Sequence, residues 1–175
     1  MTKYKPTQKN SLAHPIVQAM NLAWQALADC KFEEAKRISM EVLQQFPTQP
    51  DALHLIGVMS YKTGLYSVAI DLISSAILGY SKYPPMHGNL ALAQLANGDL
   101  KGAATSCRKA LALNPVYADG HRVLGLILQK QGKFEEAVRE FKRALTLGLD
   151  TEELRLSLIE AQEEQGGVKK ALKQA

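Results

Sequence analysis

The sequence has 175 residues, which is enough for one ordinary domain, and 46% of them are hydrophobic but only 6% aromatic. We therefore expect a core built from aliphatic and small side chains. The formal net charge is +4. Six lysines near the two ends of the chain contribute a larger positive charge than this net value: Lys3, Lys5, Lys9, Lys169, Lys170 and Lys173. Removing those six charges leaves residues 15–167 with a net charge of −2, so the body of the chain offers no basic footprint for nucleic acid.

No apolar run in the first fifteen residues is long enough for a signal peptide, and no stretch approaches the ~20 apolar residues of a membrane span. The sequence therefore predicts a cytoplasmic protein with neither a membrane nor a nucleic acid as its partner. Residues 1–15 are expected to form a flexible, basic N-terminal segment. Cys30 and Cys107 lie far apart at no metal-ligand spacing, and we interpret both as buried, reduced thiols.

Small residues recur along the rest of the chain with a period of 34 residues. One series consists of Ala35, Ala69, Ala103, Ala137 and Ala171. A second consists of Cys30, Gly64, Gly98, Gly132 and Gly166. In the fourth period, apolar residues fall at helical spacing in 119–131 and again in 134–147, on either side of Gly132, where a helix end favours positive φ.

Each period is thus predicted to be a helix A, a tight turn and a helix B of about 14 residues each. The repeats span 16–49, 50–83, 84–117 and 118–151, with an incomplete fifth repeat at 152–175 that turns at Gly166. One helix pair cannot bury both of its apolar faces, so the pairs must stack. The predicted fold is an all-α, right-handed superhelix, a solenoid of stacked antiparallel helix pairs.

Two positions of the repeat explain the packing. The eighth position is Ala23, Gly57, Ala91 and Gly125, so helices A and B can approach closely, although the fifth repeat has the bulky Ile159 there. The seventh position is expected to fill the space between helices with Leu22, Ile56, Leu90, Leu124 and Leu158.

This pattern resembles the tetratricopeptide repeat (TPR) family. The third repeat carries Leu90-Ala91, Ala103, Cys107, Ala110 and Pro115 at the family's signature positions, and the fourth carries Leu124-Gly125, Ala137, Phe141 and Ala144. The chain departs from the family at the fourth position, where the favoured Trp is absent, and at Ser81 and Leu149, which replace the closing Pro. The resemblance covers residue 16 to about residue 175.

No catalytic, cofactor-binding or metal-binding motif accompanies the repeats, and we expect neither enzymatic activity nor a cofactor. His87 and His121 are 34 residues apart and so occupy equivalent places in neighbouring repeats. Equivalent atoms of such repeats are about a helix diameter apart, which is too far for two ligands of one metal ion. Both are interpreted as packing or surface histidines.

The resemblance implies that the A helices line a concave groove that holds a protein or peptide. Its implied contact set consists of the ninth-position apolar residues, Tyr61 and flanking polar or flexible residues: Met20, Asn21, Trp24, His54, Val58, Tyr61, Asn89, Leu92, Arg122 and Leu126. An alternative is that the apolar members simply pack along the inner wall. If these residues instead contact a ligand, the chain is predicted to be a protein-binding scaffold that mediates protein–protein interaction.

Some family members clamp the acidic tails of chaperones with lysine, arginine and asparagine side chains. In the first three repeats the corresponding positions are Met20, Trp24, Leu55, Pro85 and Asn89. In repeats two to four they are His54, Val58, Asn89, Asp119 and Val123, and neither set carries the cations. Asn21 and Asn89 are similar in kind to the asparagine ladder of the O-GlcNAc transferase repeat arm. The alternative function is therefore an N-terminal substrate-recruiting or assembly arm of a larger bacterial enzyme, such as a glycosyltransferase or sulfotransferase. Self-association through residues 1–14 is a further hypothesis.

Overall fold

The computed structural model describes residues 13–174, apart from the side chains of 13, 14, 169 and 171–174, and all regular structure in that range is α-helical. Residues up to Ser81 form one compact unit (unit 1) and those from Lys82 onward another (unit 2). Unit 1 contains α1 (Ala13–Ala28), α2 (Phe32–Gln45), α3 (Pro50–Lys62) and α4 (Tyr66–Gly79). Unit 2 contains α5 (Pro84–Ala96), α6 (Leu100–Leu113), α7 (Ala118–Lys130), α8 (Phe134–Thr146) and α9 (Glu152–Gln174).

Within each unit, consecutive helices pack together, and the A helices also contact each other: α1 with α3 in unit 1, and α5 with α7 and α7 with α9 in unit 2. The predicted all-α fold of stacked helix pairs is confirmed for each unit. The boundary of the N-terminal segment differs, because α1 already begins at Ala13. Residues 1–12 of that predicted flexible segment lie outside the described part of the chain.

The predicted turns between helix A and helix B are confirmed in four repeats. Gly64, Gly98 and Gly132 have φ of 80°, 84° and 72°, in the left-handed region that glycine adopts without strain. Each turn is closed by an N–H that donates to the carbonyl five residues earlier, as from Lys133 to Leu128 at 2.9 Å, which is a Schellman motif. Cys30 takes the same place with φ 60° and is exposed. The prediction that Cys30 is buried was therefore wrong, because this turn position points to solvent.

Cys107 does lie in the core. Its thiol donates to the carbonyl oxygen of Gly120 at 3.3 Å, and burial raises the pKa of this thiol to about 12. The thiol therefore stays protonated and poorly reactive at neutral pH.

The predicted turn at Gly166 is wrong. α9 runs through Gly166 and Gly167 as one helix of 23 residues, and neither glycine has positive φ. The residue spacing predicted a turn because Gly166 is in register with three turn glycines. A second helix would have to pack at the eighth position of this repeat, where Ile159 replaces the usual Ala or Gly.

In the second and fourth repeats, helices A and B meet at the eighth position, opposite a residue on helix B that lies sixteen positions later. A Cβ on Gly57 would come within 2.6 Å of Cγ1 of Ile73, and a Cβ on Gly125 would overlap the ring of Phe141. In the other two repeats the eighth residue is Ala and the corresponding helix B residue is small: Ser39 or Cys107. The large side chain on helix B and the missing Cβ on helix A therefore compensate each other in volume.

Seventh-position residues pack between helices in unit 2. Leu124 packs against a core formed by residues of α5, α6 and α7, and Leu158 packs against a core formed by residues of α8 and α9, which includes Phe141. Leu22, by contrast, is 63% exposed, so its prediction as an interhelical residue was wrong. None of the described residues forms a helix pair before α1 on which Leu22 could pack.

The volume compensation predicts that one substitution has opposite effects in two backgrounds. Gly125→Ala should destabilise the wild-type chain by about 1–3 kcal/mol, because the new methyl group collides with Phe141. In a Phe141→Cys background, which copies the Ala91–Cys107 arrangement of α5 and α6, Gly125→Ala should stabilise by about 1 kcal/mol through helix propensity and cavity filling. Urea unfolding of all four chains measures both effects. The same sign in both backgrounds would contradict the compensation.

Candidate functional site

The candidate surface of unit 1 lies on α1 and α3, where Trp24 and Val58 occupy the ninth position of the first two repeats. Trp24 packs against the core formed by α1, α2 and α3 while remaining half-buried. Its indole lies 5.2 Å from the imidazole of His54, measured between ring centroids, with the planes tilted by 58°. Asn21, one turn before Trp24, is exposed. We call Asn21, Trp24, Val58 and Tyr61 the α1–α3 surface.

Tyr61, at the end of α3, is held against the start of α4. Its ring centroid lies 5.8 Å from that of Tyr66, with the planes tilted by 48°. Aromatic pairs at this separation are stabilising in tilted geometries. The Tyr61 side chain remains half-buried, so one part of the ring is accessible while another part is fixed by packing.

Two predicted contact residues of unit 1 are inaccessible. Met20 is 1% exposed and His54 is 3% exposed, and a partner cannot touch either side chain without a rearrangement of the unit. Both were predicted as contacts, and the structure instead buries the fifth position of these two repeats, so neither is kept in the surface defined above. The imidazole of His54 instead packs against the indole of Trp24. Burial lowers the pKa of its imidazole to about 3, so it is neutral at physiological pH.

The candidate surface of unit 2 lies on α5 and α7. Leu92 and Leu126 occupy the ninth position, both are half-buried, and each packs against the core of its own helix pair. Asn89, at the sixth position of α5, is also half-buried. We call Asn89, Leu92 and Leu126 the α5–α7 surface.

Arg122 is engaged within unit 2. Its Nε donates to Oδ1 of Asp119, and its Nη1 donates to Oε1 of Glu153 on α9, both at 3.3 Å. The Arg122 side chain is 14% exposed. The sequence predicted that Arg122 supplies a polar contact to a partner; in this structure its guanidinium pairs with Asp119 on α7 and with Glu153 on α9. Asp119 and Glu153, at the second positions of the fourth and fifth repeats, were the sequence signal for this pairing.

His121 is also tied internally, as the packing interpretation predicted. Its Nδ1 lies 2.7 Å from Oε2 of Glu140 on α8, and its Nε2 lies 3.0 Å from the carbonyl oxygen of Pro115. These contacts hold the start of α7 to its own helix B and to the preceding loop. His87 is buried.

The described side chains bring together no group of three or more His, Cys, Asp or Glu that could hold a metal ion. Of the clefts in unit 2, one of about 530 Å³ lies between the start of α8 and the second half of α9, and another of about 310 Å³ is lined by Glu160, Glu163, Glu164 and Gly167. Neither includes a residue of the α5–α7 surface.

The burial of His54 predicts a loss of stability in mild acid. The unfolded chain binds a proton at this imidazole near pH 6.5, whereas the folded chain does so only near pH 3. The free energy of unfolding should therefore fall as pH falls below 6.5, by about 2 kcal/mol between pH 7 and pH 5 from this group. Urea titrations of wild type and His54→Gln at both pH values measure it. The variant should lose this part of the pH dependence, and identical pH dependence in the two chains would contradict the assignment.

In the described part of the chain, no helix has the length and apolar content needed to cross a membrane. Two models of the tetratricopeptide repeat match the sequence, one over residues 61–118 and the other over residues 118–148. Human tetratricopeptide repeat protein 36 is 32% identical over 124 residues, which are 66% of this chain and 66% of that protein. The chain thus spans slightly less than two thirds of this relative's length.

Solved structures show the same fold. A thermophilic TPR protein of Thermus thermophilus is similar with a TM-score of 0.76 and 26% identity, over 91% of this chain and 87% of that one. The first TPR domain of Spaghetti (RPAP3), solved with an HSP90 peptide, has a TM-score of 0.62 and 24% identity, over 67% of this chain and 94% of that one. With its helix pairs and its repeat spacing, the chain belongs to the tetratricopeptide repeat family of helical-repeat solenoids.

Proposed function

We propose that this chain is a protein-interaction scaffold that binds a peptide segment of another protein on the exposed faces of its A helices. The observation that carries the proposal is the partial exposure of the apolar side chains at the ninth position. Trp24, Val58, Leu92 and Leu126 are all apolar, and all remain half-buried rather than enclosed. Partly exposed apolar side chains held by a rigid core mark surfaces that gain free energy when a partner covers them.

The surfaces also define the chemistry of the ligand. Covering a side chain such as Trp24 or Leu92 contributes about 1.5–3 kcal/mol before the costs of ordering the ligand. The sixth-position residues Asn21 and Asn89 each carry an amide, which can both donate to and accept from a peptide backbone. A peptide in an extended conformation, with apolar side chains, satisfies both requirements.

A carboxylate clamp for an acidic tail does not fit the chain. Of the positions that would form it, Met20 and Leu55 are buried and apolar, and Trp24 and Pro85 carry no charge. The RPAP3 domain was solved with an HSP90 peptide. The proposal for this chain is a different ligand class, recognised by apolar contacts and backbone hydrogen bonds.

The proposed scaffold is non-catalytic and acts in the cytoplasm, without nucleic acid or membrane as partner. The mildly acidic body of the sequence supports the exclusion of nucleic acid. The alternative function, an arm of a larger enzyme, uses the same surfaces to recruit a substrate. Reading the full gene for a following transferase domain distinguishes the two.

Paired variants test the proposal. Asn21→Ala/Trp24→Ala alters the α1–α3 surface, Asn89→Ala/Leu92→Ala alters the α5–α7 surface, and Leu78→Ala removes an 87% exposed side chain on α4 as the matched control. Proteins captured from source lysate by wild type are identified, and peptides from them are titrated by calorimetry. Each surface variant should weaken binding by about tenfold or more, because two contacts are lost, while Leu78→Ala should bind as wild type does.

Circular dichroism melts confirm that every variant remains folded before binding is compared. Equal affinity of wild type and both surface variants for the captured peptides would reject the proposed surfaces.

A further inference from the structure

The indole of Trp24 is held by two kinds of contact in unit 1. One is the core formed by residues of α1, α2 and α3, against which the indole packs. The other is the imidazole of His54 on α3, whose ring centroid lies 5.2 Å from that of the indole with the planes tilted by 58°. Because Trp24 is half-buried, these contacts determine which edge of the indole remains accessible and in which direction it points.

The repeat does not require a histidine at the position of His54. The fifth position carries a different residue in each repeat: Met20, His54, Gly88, Arg122 and Leu156. His54 is 3% exposed, and burial lowers the pKa of its imidazole to about 3, so a ring that is charged in mild acid when exposed to water is kept neutral here. Burying a polar ring costs desolvation free energy that an aliphatic side chain would not lose.

The contact with Trp24 gives a physical reason for a ring at this position. Aromatic rings attract each other in tilted arrangements at centroid separations of about 4.5–7 Å, and the Trp24–His54 pair lies within this range. A flat, buried ring also limits the rotation of the neighbouring indole about its side-chain torsions. An aliphatic side chain of similar size changes rotamer more easily and restricts the indole less.

We propose that His54 is a positioning residue of the α1–α3 surface, whose ring fixes the indole of Trp24 in one orientation before a ligand binds. This inference rests on the proposed function, in which Trp24 contacts the ligand, and it adds a residue that determines affinity without touching the ligand. A side chain that is already ordered loses less conformational entropy when a partner covers it. The ring of His54 therefore raises affinity by preorganising the surface.

Spectroscopy of Trp24, the single tryptophan of the chain, tests the positioning without any ligand. Fluorine NMR of the chain labelled with 5-fluorotryptophan and the decay of tryptophan fluorescence anisotropy both report the motion of the ring. Wild type should give one sharp resonance and little fast depolarisation. His54→Leu should broaden or split the resonance and increase the fast depolarisation, whereas His54→Phe, which restores a ring, should return both toward the wild-type values.

Ile73→Val is the matched control for lost packing in unit 1. Ile73 is fully buried on α4 and is not among the residues of the core against which Trp24 packs. This variant should be less stable than wild type and yet keep the wild-type resonance and anisotropy. Circular dichroism and urea unfolding show which variants are folded. If His54→Phe does not fold, the comparison of His54→Leu with Ile73→Val decides.

A phage-displayed library of random short peptides is the probe for the effect on binding. Peptides that wild type selects and Trp24→Ala does not are titrated by calorimetry. His54→Leu should weaken their binding by about two- to tenfold, which corresponds to the free energy of ordering one side chain. His54→Phe and Ile73→Val should bind them as wild type does.

Three results would overturn the positioning function of His54. They are a Trp24 ring that is as fixed in His54→Leu as in wild type, a ring that is as mobile in a folded His54→Phe as in His54→Leu, and an unchanged peptide affinity in His54→Leu. A wild-type chain that selects no peptide through Trp24 would instead reject the proposed function of the α1–α3 surface, and with it the effect of His54 on binding.

Discussion

The contact between helix A and helix B at the eighth position determines most of this structure. There, a backbone without a side chain meets a large side chain, as at Gly57 and Ile73, or two small residues meet. Close packing of this kind tolerates little change of volume, so the two helices of a pair behave as one rigid body. The glycine turns that join them contribute the required positive φ and add no packing of their own.

The candidate surfaces follow from that contact through helical geometry. Successive residues of an α-helix are about 100° apart around the axis. When the eighth residue faces helix B, the ninth residue points away from helix B and toward the open side of helix A. Because of this geometry, Trp24 and Leu92 are half-buried: one edge of each side chain lies on the core and the other is accessible. The exposure of each candidate surface thus depends on how the neighbouring eighth residue packs against helix B.

The sequence was sufficient to predict the features that recur in every repeat. It was insufficient where the burial or course of a residue is determined by packing against another helix. The helix pairs and the turns at Gly64, Gly98 and Gly132 follow from a period of 34 residues, and the structure confirms them. The straight course of α9, the exposure of Leu22 and the burial of His54 depend instead on which helix packs nearby. The ion pair between Arg122 and Glu153 likewise joins residues 31 positions apart, and no pattern within a single repeat predicts it.

Quenching of Trp24 fluorescence by acrylamide tests the central claim most directly, because Trp24 is the single tryptophan of the chain and lies on the α1–α3 surface. It should be measured for the free chain and for the chain saturated with a tryptophan-free peptide ligand. The account predicts that the bound ligand shields the indole, which lowers the quenching constant and shifts the emission to shorter wavelength. Unchanged quenching and emission with the ligand bound would contradict a binding surface at this site.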